Sequence, residues 1–501
     1  MTTPPSAIII GSGVAGMAAA IRLAVQGFAV TVYEKNSFPG GKLHAFEQDG
    51  YRFDAGPSLF TQPANVEELF ALAGEPIGDY FSYVEVDIAC RYFYSGGKKV
   101  DAYSDAAKFA AELGKQFGED ERAVLRYLKN AEQLYDHIGT IFLNHSLHRK
   151  ETWLHPRILK AIARLRYSYL FSTLNRHNER CFRAPETAQL FNRYATYNGS
   201  DPYQAPAMLS LIPHLEQNQG TFYPYGGMIS ITNALHRLAL KKGVRFCFNT
   251  PVQKILHRKG RVTGVLVNDT EQAASVVVSN ADVYFTYKQL LNDQRRAEHV
   301  LRQERSSSAV IFYWGIGRAF SNLHLHNIFF SNDYRHEFNQ IFRKGGITND
   351  PTIYVNITSK MEAGQAPAGK ENWFVMVNAP AHSGQDWEQL VAGLRSSVLR
   401  KLEERLGEPV EPYIETERML TPPMIEQQTS SYMGSLYGTS SNSRMAAFLR
   451  HANFTGSIGN LYFCGGSVHP GGGIPLCLKS AAIIGQLVAA RKPRFLHGQT
   501  P

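Results

Sequence analysis

Cysteine is scarce in this chain, and its spacing excludes the structures that cysteine usually builds. The 501 residues include only five cysteines, an odd number, and no two of them form a Cys-x-x-Cys pair. A disulfide framework and a zinc site are therefore not expected, and we predict no metal site. The pattern predicts free thiols in a reducing compartment.

Charge and long apolar runs are limited as well. Charged residues make up 19% of the chain and hydrophobic residues 44%, which excludes a disordered or coiled-coil protein. The apolar stretch 7–21 is interrupted by glycines and is shorter than the roughly 18–20 residues that span a bilayer. No basic segment precedes it, as one would in a signal peptide. The length predicts about two to four domains.

The net charge of +9 favours an anionic partner. Nucleic acid, an anionic membrane surface and an anionic cofactor all fit that charge. No nucleic-acid-binding motif accompanies it, so we expect no nucleic-acid partner.

The N-terminal segment has the pattern of a strand, a helix and a second strand. Residues 7–10 form a continuous apolar run, typical of a buried parallel strand. An alanine-rich stretch, 16–26, predicts a helix that Gly27 ends. Residues 28–33 predict the next strand. Together they predict a βαβ unit with a glycine loop after its first strand.

That glycine loop carries a dinucleotide-binding fingerprint. Gly11 permits a tight turn, Gly13 lets the backbone approach a pyrophosphate, and Gly16 lets helix and strand pack closely. The helix N-terminus offers free N–H groups to the phosphates. Glu34, 18 residues after Gly16, closes the second strand and can accept hydrogen bonds from ribose hydroxyls.

Two further glycine turns favour an extended flavin dinucleotide over a nicotinamide cofactor. Gly40 and Gly41 follow the acidic residue closely, and Lys42 adds a positive charge. Near the C-terminus, the turn 465–473 joins a strand to a helix that begins near Pro475. The positive end of that helix would favour the anionic edge of a reduced flavin.

The remaining patterns place these motifs in two domains. We predict a hairpin at 45–53 and a long helical region at 67–197. We predict strands at 244–255, 262–267, 276–279 and 461–464, and helices at 387–406 and 475–490. Residues 290–430 carry further strand-like alternation. The ends of the chain and a middle block predict one discontinuous FAD-binding domain at 1–70, 220–290 and 450–501. The remaining blocks, 71–219 and 291–449, predict a substrate-binding and membrane-associated domain.

Several blocks together resemble the bacterial carotenoid (phytoene) desaturase family. They are GSGVAGMAAAIRLAVQGFAVTVYEKNSFPGGKLHAF, GYRFDAGPSLF, FYPYGGMISITNAL, VVSNADVYFTYKQLL and LYFCGGSVHPGGGIPLCLKSA. The last block is most similar to the 1-hydroxycarotenoid 3,4-desaturase branch. The resemblance implies an α/β fold of the flavin amine oxidase type: a Rossmann-like FAD-binding domain, a mixed α+β substrate domain and a helical membrane-facing part. It also implies FAD as cofactor and an acyclic carotenoid as substrate.

The resemblance also implies roles for individual residues. The pyrophosphate would lie against the first glycine loop, the ribose at Glu34, the adenine at the backbone of Val252, and the flavin at the C-terminal glycine turn. The implied cofactor-binding residues are Gly11, Ser12, Gly13, Val14, Ala15, Gly16, Glu34, Lys35, Gly40, Gly41, Lys42, Val252, Gly465, Gly466 and Ile474. Segments 54–60 and 225–228 would line the substrate side of the ring. Many relatives have arginine where this chain has Lys42, which lacks the bidentate fork of arginine.

The catalytic residues are not identified by any motif. Desaturation removes a hydride, which flavin can accept, and a proton, whose loss conjugation of the substrate makes easier. His469 and Asp54 are the candidate proton acceptors. A loop-capping histidine and a turn-stabilising aspartate are the competing interpretations.

Residues 149–183 predict a contact with the membrane. Nine lysines and arginines stand against two glutamates there, and an apolar stripe (Leu154, Ile158, Ile162, Leu165 and Tyr169) recurs at helical spacing. Arg157, Lys160 and Arg164 lie away from the stripe. This composition fits an interfacial helix on anionic lipid, or equally a core helix with a solvated face. We expect a cytoplasmic protein attached peripherally to the inner face of the cell membrane, with oxygen or a quinone as electron acceptor.

Other functions remain open on the sequence alone. A phytoene desaturase has the same overall pattern. An amine or porphyrinogen oxidase of the same fold would have a polar pocket and no membrane binding. A flavin-free prenyl-lipid carrier would not need Glu34 or the C-terminal glycine turn.

Overall fold

The computed structural model describes residues 4–154, 156, 167–443 and 450–491. Within them, the strands run β1 Ser6–Ile10, β2 Ala29–Tyr33, β3 Ala45–Gln48, β4 Tyr51–Asp54, β5 Tyr83–Glu85, β6 Ile88–Phe93, β7 Lys99–Tyr103, β8 Phe222–Pro224, β9 Arg245–Cys247, β10 Val252–Arg258, β11 Arg261–Val267, β12 Thr270–Ala273, β13 Val276–Ser279, β14 Ser308–Ile316, β15 His326–Phe329, β16 Ile353–Ile357, β17 Glu371–Ala379, β18 Ile414–Leu420 and β19 Leu461–Phe463. The α-helices are Val14–Val25, Ala64–Ala73, Ala106–Phe117, Glu121–Leu134, Thr140–Asn144, Lys150–Trp153, Tyr167–Phe171, Leu174–Cys181, Pro185–Asn192, Ile229–Lys241, Val283–Phe285, Gln294–Val300, Tyr334–Asn339, Trp387–Leu406, Pro422–Thr429 and Ile474–Ala489.

A five-stranded parallel sheet brings distant parts of the chain together. Its strand order is β19-β13-β1-β2-β9, and each neighbouring pair is parallel. The central strand β1 is apolar on both faces, as a parallel strand covered by helices should be. Helices Val14–Val25 and Ile474–Ala489 pack against each other in the same core.

A seven-stranded sheet forms the second layer of the molecule. Its order is β18-β14-β17-β16-β15-β6-β7, and all pairs are antiparallel except β15 with β6. Trp314, Trp373 and Val375 from one face of this sheet lie in one core with Leu394 and Val398 of helix Trp387–Leu406. Residues of a smaller antiparallel sheet, β10-β11-β12, pack in one hydrophobic core with residues of the parallel sheet.

The structure confirms most of the predicted elements and corrects two of them. The βαβ unit, the hairpin, strand Val276–Ser279 and helix Trp387–Leu406 are confirmed. The helical prediction for 67–197 is wrong over 83–103, where β5, β6 and β7 lie. The single strand predicted at 244–255 is wrong as well, because β9 and β10 belong to different sheets. The domain boundaries stay a prediction.

No helix in the described ranges combines the length and the apolar character needed to cross a bilayer. All five cysteines are free thiols.

Candidate cofactor and substrate site

A long cavity of about 690 Å³ opens along the carboxyl ends of the parallel strands. Gly11 follows β1, Glu34 follows β2, Asn280 follows β13, and Gly465 comes just after β19; all four residues line the cavity. Ligands of open α/β sheets bind at this edge. The cavity continues from there to the large sheet, where residues of β14, β16 and β17 form its wall.

The first glycine loop permits an unusually close backbone approach. Gly11 has φ +91°, which favours glycine. A Cβ on Gly16 would lie 2.2 Å from the carbonyl oxygen of Gly11, and a Cβ on Gly13 would lie 2.5 Å from Nδ2 of Asn280. Helix Val14–Val25 begins directly after this loop, with its N-terminal residues on the cavity wall. This arrangement suits a pyrophosphate.

The second glycine turn packs directly onto the first. The Gly40 N–H donates to the Ser12 carbonyl at 2.9 Å, and Gly40 pairs with Gly13 as an isolated β-bridge. Gly56 abuts this turn as well, because a Cβ there would collide with the carbonyl oxygen of Lys42. The two turns and the segment after β4 therefore form one continuous wall.

Glu34 is buried at the end of β2 and is held in place by donors. One carboxylate oxygen accepts from the N–H of Ser12 at 2.7 Å and from its hydroxyl at 2.9 Å; the other accepts from the N–H of Asn36 at 2.9 Å. A carboxylate has about four acceptor positions. The acceptor position that these three donors leave free suits a ribose hydroxyl.

The C-terminal glycine turn opens a helix toward the cavity. Gly473 has φ +101°, and a Cβ built on it would meet no atom within 4 Å. Helix Ile474–Ala489 follows immediately and has no acidic residue in its first turn. The first turn of this helix lines the cavity, so its positive end lies where an anionic group can be bound.

Two cations lie beside these turns, the partly buried Lys42 and the fully buried Arg450. The ammonium of Lys42 donates to the Leu436 carbonyl at 2.8 Å, and burial lowers its pKa to about 8, although the charge of Asp282 opposes this effect. Arg450 donates to the Tyr437 carbonyl at 2.6 Å, and burial lowers its pKa to about 10. Nη2 of Arg450 has no partner in the described part of the chain. No sequence motif singled out Arg450, whereas the Gly-Gly-Lys turn pointed to Lys42.

The predicted cofactor-binding residues fall into two groups. Thirteen of them line the cavity: Gly11, Gly13, Val14, Ala15, Glu34, Lys35, Gly40, Gly41, Lys42, Val252, Gly465, Gly466 and Ile474. Ser12 and Gly16 lie behind the wall, where Ser12 holds Glu34 and Gly16 packs on Gly11. The structure brings these residues together, and their roles in binding stay a prediction.

The two candidate proton acceptors have different surroundings. His469 lines the cavity, and its Nε2 donates to the His145 carbonyl at 3.0 Å. Burial lowers its pKa to about 4, so at neutral pH the ring is neutral with its lone pair on Nδ1. Asp54 instead accepts from the N–H groups of Met228 and Ile229, at 2.8 and 3.2 Å, and burial raises its pKa. Its carboxylate fixes the start of helix Ile229–Lys241 and is not part of the cavity wall.

Only some residues of the two segments that we expected beside the substrate, 54–60 and 225–228, line the cavity. Residues 55–59 and 61–62 line it, whereas Asp54, Phe60 and segment 225–228 do not. Segment 225–228 packs against Arg52 and Asp54 instead.

Much of the cavity wall beyond the glycine turns is apolar. The large sheet and the helical region opposite it contribute Ile311, Ile328, Phe374, Met376, Met208, Leu209, Leu211, Ile212 and Leu215. A polar group, which sequence reasoning missed, interrupts this wall: Arg193, Tyr197, Glu216, His326 and Tyr354. A polyene can pack on the apolar part.

The fold and the glycine cradle are typical of a protein that binds an extended dinucleotide. The sequence model of the family described as flavin containing amine oxidoreductase matches residues 14–484. A 1-hydroxycarotenoid 3,4-desaturase from Flavobacterium sp. (strain P99-3) is 49% identical over 96% of this chain and 98% of its own. A 4,4'-diapolycopene oxygenase from Methylomonas sp. is 31% identical over 96% and 98%.

The fold is similar to that of solved flavoenzymes. Cyclohexylamine oxidase from Brevibacterium oxydans IH-35A superposes with a TM-score of 0.61 at 14% identity, covering 98% of this chain and 100% of that one. The chain thus belongs to the flavin-containing amine oxidoreductases and, within them, to the carotenoid desaturase family. Its cofactor is FAD, and the glycine cradle, the open helix end and the unpartnered Arg450 nitrogen all fit that group.

Proposed function

We propose that this protein is an FAD-dependent desaturase that introduces the 3,4 double bond into a 1-hydroxylated acyclic carotenoid. The observation that carries the proposal is the cavity itself, which joins a dinucleotide cradle to a largely apolar chamber. The desaturase relative at 49% identity supports the choice of substrate. Phytoene desaturation is the nearest alternative.

The chain's own residues would bind the cofactor, shield the reacting atoms from water and orient the substrate. The glycine turns, Glu34 and Val252 would hold the dinucleotide, and the helix at Ile474 would face the flavin. When bound, FAD supplies the acceptor for the hydride that leaves the substrate carbon. The apolar wall would hold the polyene flat and exclude water, and Nδ1 of His469 could receive the proton.

An amine oxidase activity is less well supported by the charges in the cavity. Lys42 and Arg450 both line the cavity beside the glycine turns, and Lys42 is partly buried whereas Arg450 is fully buried. These cations would repel an ammonium substrate more strongly than a neutral hydrocarbon.

We also propose that the protein binds the inner face of the cell membrane from the cytoplasm, through region 149–183. Carotenoids dissolve in bilayers, so the cavity must be loaded from one. In the described part of this region, Leu154 is 74% and Phe171 60% exposed, with Arg149 and Lys150 nearby in the chain. Tyr169, the other stripe residue that the structure describes, is buried in a core with Leu134 and Ile138, as the core-helix alternative predicted for this position. Ile158, Ile162 and Leu165 of the stripe, and Arg157, Lys160 and Arg164 of the basic face, lie outside the described residues. Oxygen or a membrane quinone would reoxidise the flavin.

The proposal is tested by pigment analysis in bacterial hosts that make either phytoene or a 1-hydroxylated acyclic carotenoid. Expression should red-shift the pigment in the second host and give a product two hydrogens lighter. A shift only in the phytoene host would favour phytoene desaturation. No change in either host, with flavin-loaded protein present, would contradict carotenoid desaturation.

A further inference from the structure

A buried ion pair lies in the wall of the apolar chamber. Arg193 Nη2 donates to Glu216 Oε1 at 2.9 Å, and the two side chains are 8% and 1% exposed. The hydroxyl of Tyr197 accepts from Arg193 Nη1 at 2.9 Å and donates to the second oxygen of Glu216. The rings of Tyr92, Tyr194 and Tyr197 surround the guanidinium, with centroids 4.7–5.2 Å from its central carbon.

A second polar chain lies in the wall of the same cavity and begins near the second glycine turn. Ser58 is 2.8 Å from the hydroxyl of Tyr354, which is 2.7 Å from Nδ1 of His326. Ser58 is two residues beyond Gly56, which packs on Lys42 of the second glycine turn. The strand pairing brings the two polar groups to one place: the guanidinium of Arg193 lies over the ring of Tyr92, and Tyr92 pairs with Ile328, two residues from His326.

Polar atoms in this region are left without partners. Nε of Arg193 and Nε2 of His326 are buried and find no hydrogen-bond partner among the residues that the structure describes. Burial and the nearby Arg193 lower the pKa of His326 to about 3, so its ring is neutral and Nε2 can serve as a donor or as an acceptor, depending on the tautomer. An unsatisfied buried polar atom destabilises the protein unless a ligand or water supplies its missing partner.

A purely hydrocarbon substrate would give these atoms no partner. A buried ion pair is costly to desolvate, and replacement by apolar residues is often neutral or stabilising. The pair carries no net charge, so it suits a neutral group that both donates and accepts a hydrogen bond. An alcohol has both properties, whereas a carboxylate would be repelled by Glu216.

We propose that Arg193, Tyr197, Glu216, His326 and Tyr354 form a binding site for the terminal hydroxyl of an acyclic carotenoid. The inference rests on the proposed desaturase function and names the residues that would select its substrate. In a 1-hydroxylated chain a single carbon separates the hydroxyl-bearing carbon from the 3,4 bond. The hydroxyl site must therefore lie close to the reacting carbons, as the connection through Ser58 to the second glycine turn allows. These are specificity-determining residues, because they hold the substrate end without touching the bond that changes.

The test uses a matched pair of variants in the FAD-loaded protein. Tyr194 and Tyr197 both donate to Glu216, but only Tyr197 lines the cavity. Each variant receives two substrates, a 1-hydroxylated acyclic carotenoid and the same carotenoid without its hydroxyl. Turnover is followed by product chromatography, and binding is followed by the absorption shift of the carotenoid.

The wild type should prefer the hydroxylated substrate in both turnover and binding. Y197F should lower its kcat/KM about 10-fold and leave the other substrate unchanged, whereas Y194F should keep the preference. The double variant R193M/E216Q, which removes both charges together, should abolish the preference. Equal losses on both substrates, or a preference that survives in Y197F and in the double variant, would overturn the hydroxyl site.

Failure of the proposed function would look different. If the FAD-loaded wild type converts neither carotenoid, the desaturase proposal fails, and binding alone decides the hydroxyl site. Tighter binding of the hydroxylated carotenoid that is lost in Y197F would still support the site. Equal binding of both carotenoids by the wild type would contradict it.

Discussion

Gly13 illustrates how a missing side chain can make room for a ligand. A Cβ at this position would lie 2.5 Å from Nδ2 of Asn280 and would also occupy the approach to the first glycine loop. We expect G13A to weaken FAD binding at least about 10-fold, measured by flavin content and fluorescence titration of the apoprotein. The control is G78A, because a Cβ at Gly78 meets no atom within 4 Å. If G13A keeps its full flavin content, the first glycine loop does not hold the pyrophosphate as predicted.

His469 makes a prediction about pH. Burial lowers its pKa from 6.5 to about 4, so between these values the unfolded chain binds a proton that the folded protein does not. Stability should therefore fall as pH decreases from 6.5 to 4, with a contribution from His469 on the order of 3 kcal/mol. H469Q should flatten this part of the profile in urea unfolding, and H257Q, at an exposed site on β10, should leave it unchanged.

The same variant tests the candidate base. If Nδ1 of His469 receives the substrate proton, H469Q should lower kcat by a larger factor than the factor by which it changes KM. A variant with a flatter stability profile and wild-type kcat would assign His469 a structural role only.

At the scale of elements, the N-terminus of helix Ile474–Ala489 should influence the flavin. No acidic residue lies in its first turn, so the positive end of the helix is uncompensated. P475E would place a carboxylate there, and we expect the two-electron midpoint potential to fall by about 20–40 mV. Q486E adds the same charge at an exposed position near the other end of the helix and should leave the potential unchanged. Equal shifts in both variants would indicate a general charge effect instead.

The elements also show how far sequence patterns reach. The βαβ unit and helix Trp387–Leu406 could be predicted because each is specified by residues that are neighbours in the chain. Strands β6 and β7 could not, since β6 is completed by pairing with β15, more than 200 residues away. The hydroxyl site was missed for the same reason. Arg193 and Glu216 belong to the helical region, whereas His326 and Tyr354 come from two strands of the large sheet.

At the scale of the whole molecule, the cavity joins two sheets that are built from interleaved segments. The parallel sheet supplies the glycine turns, and the large sheet supplies part of the apolar wall and the polar residues His326 and Tyr354. We propose that the substrate reaches this cavity from a bilayer, because a carotenoid dissolves there.

This geometry makes membrane binding a property that can be measured on the intact protein. Leu154 and Phe171 are exposed apolar side chains in the basic region 149–183. We expect the protein to sediment with vesicles containing phosphatidylglycerol, to be released by salt, and to bind pure phosphatidylcholine weakly. L154D/F171D should weaken sedimentation about 10-fold or more, because charged groups replace apolar area at the lipid surface. L72D/L240D introduces the same charges at two exposed leucines outside this region and should bind normally. If both double variants bind like the wild type, another surface meets the membrane; if the wild type ignores anionic vesicles, the substrate must reach the cavity by a carrier.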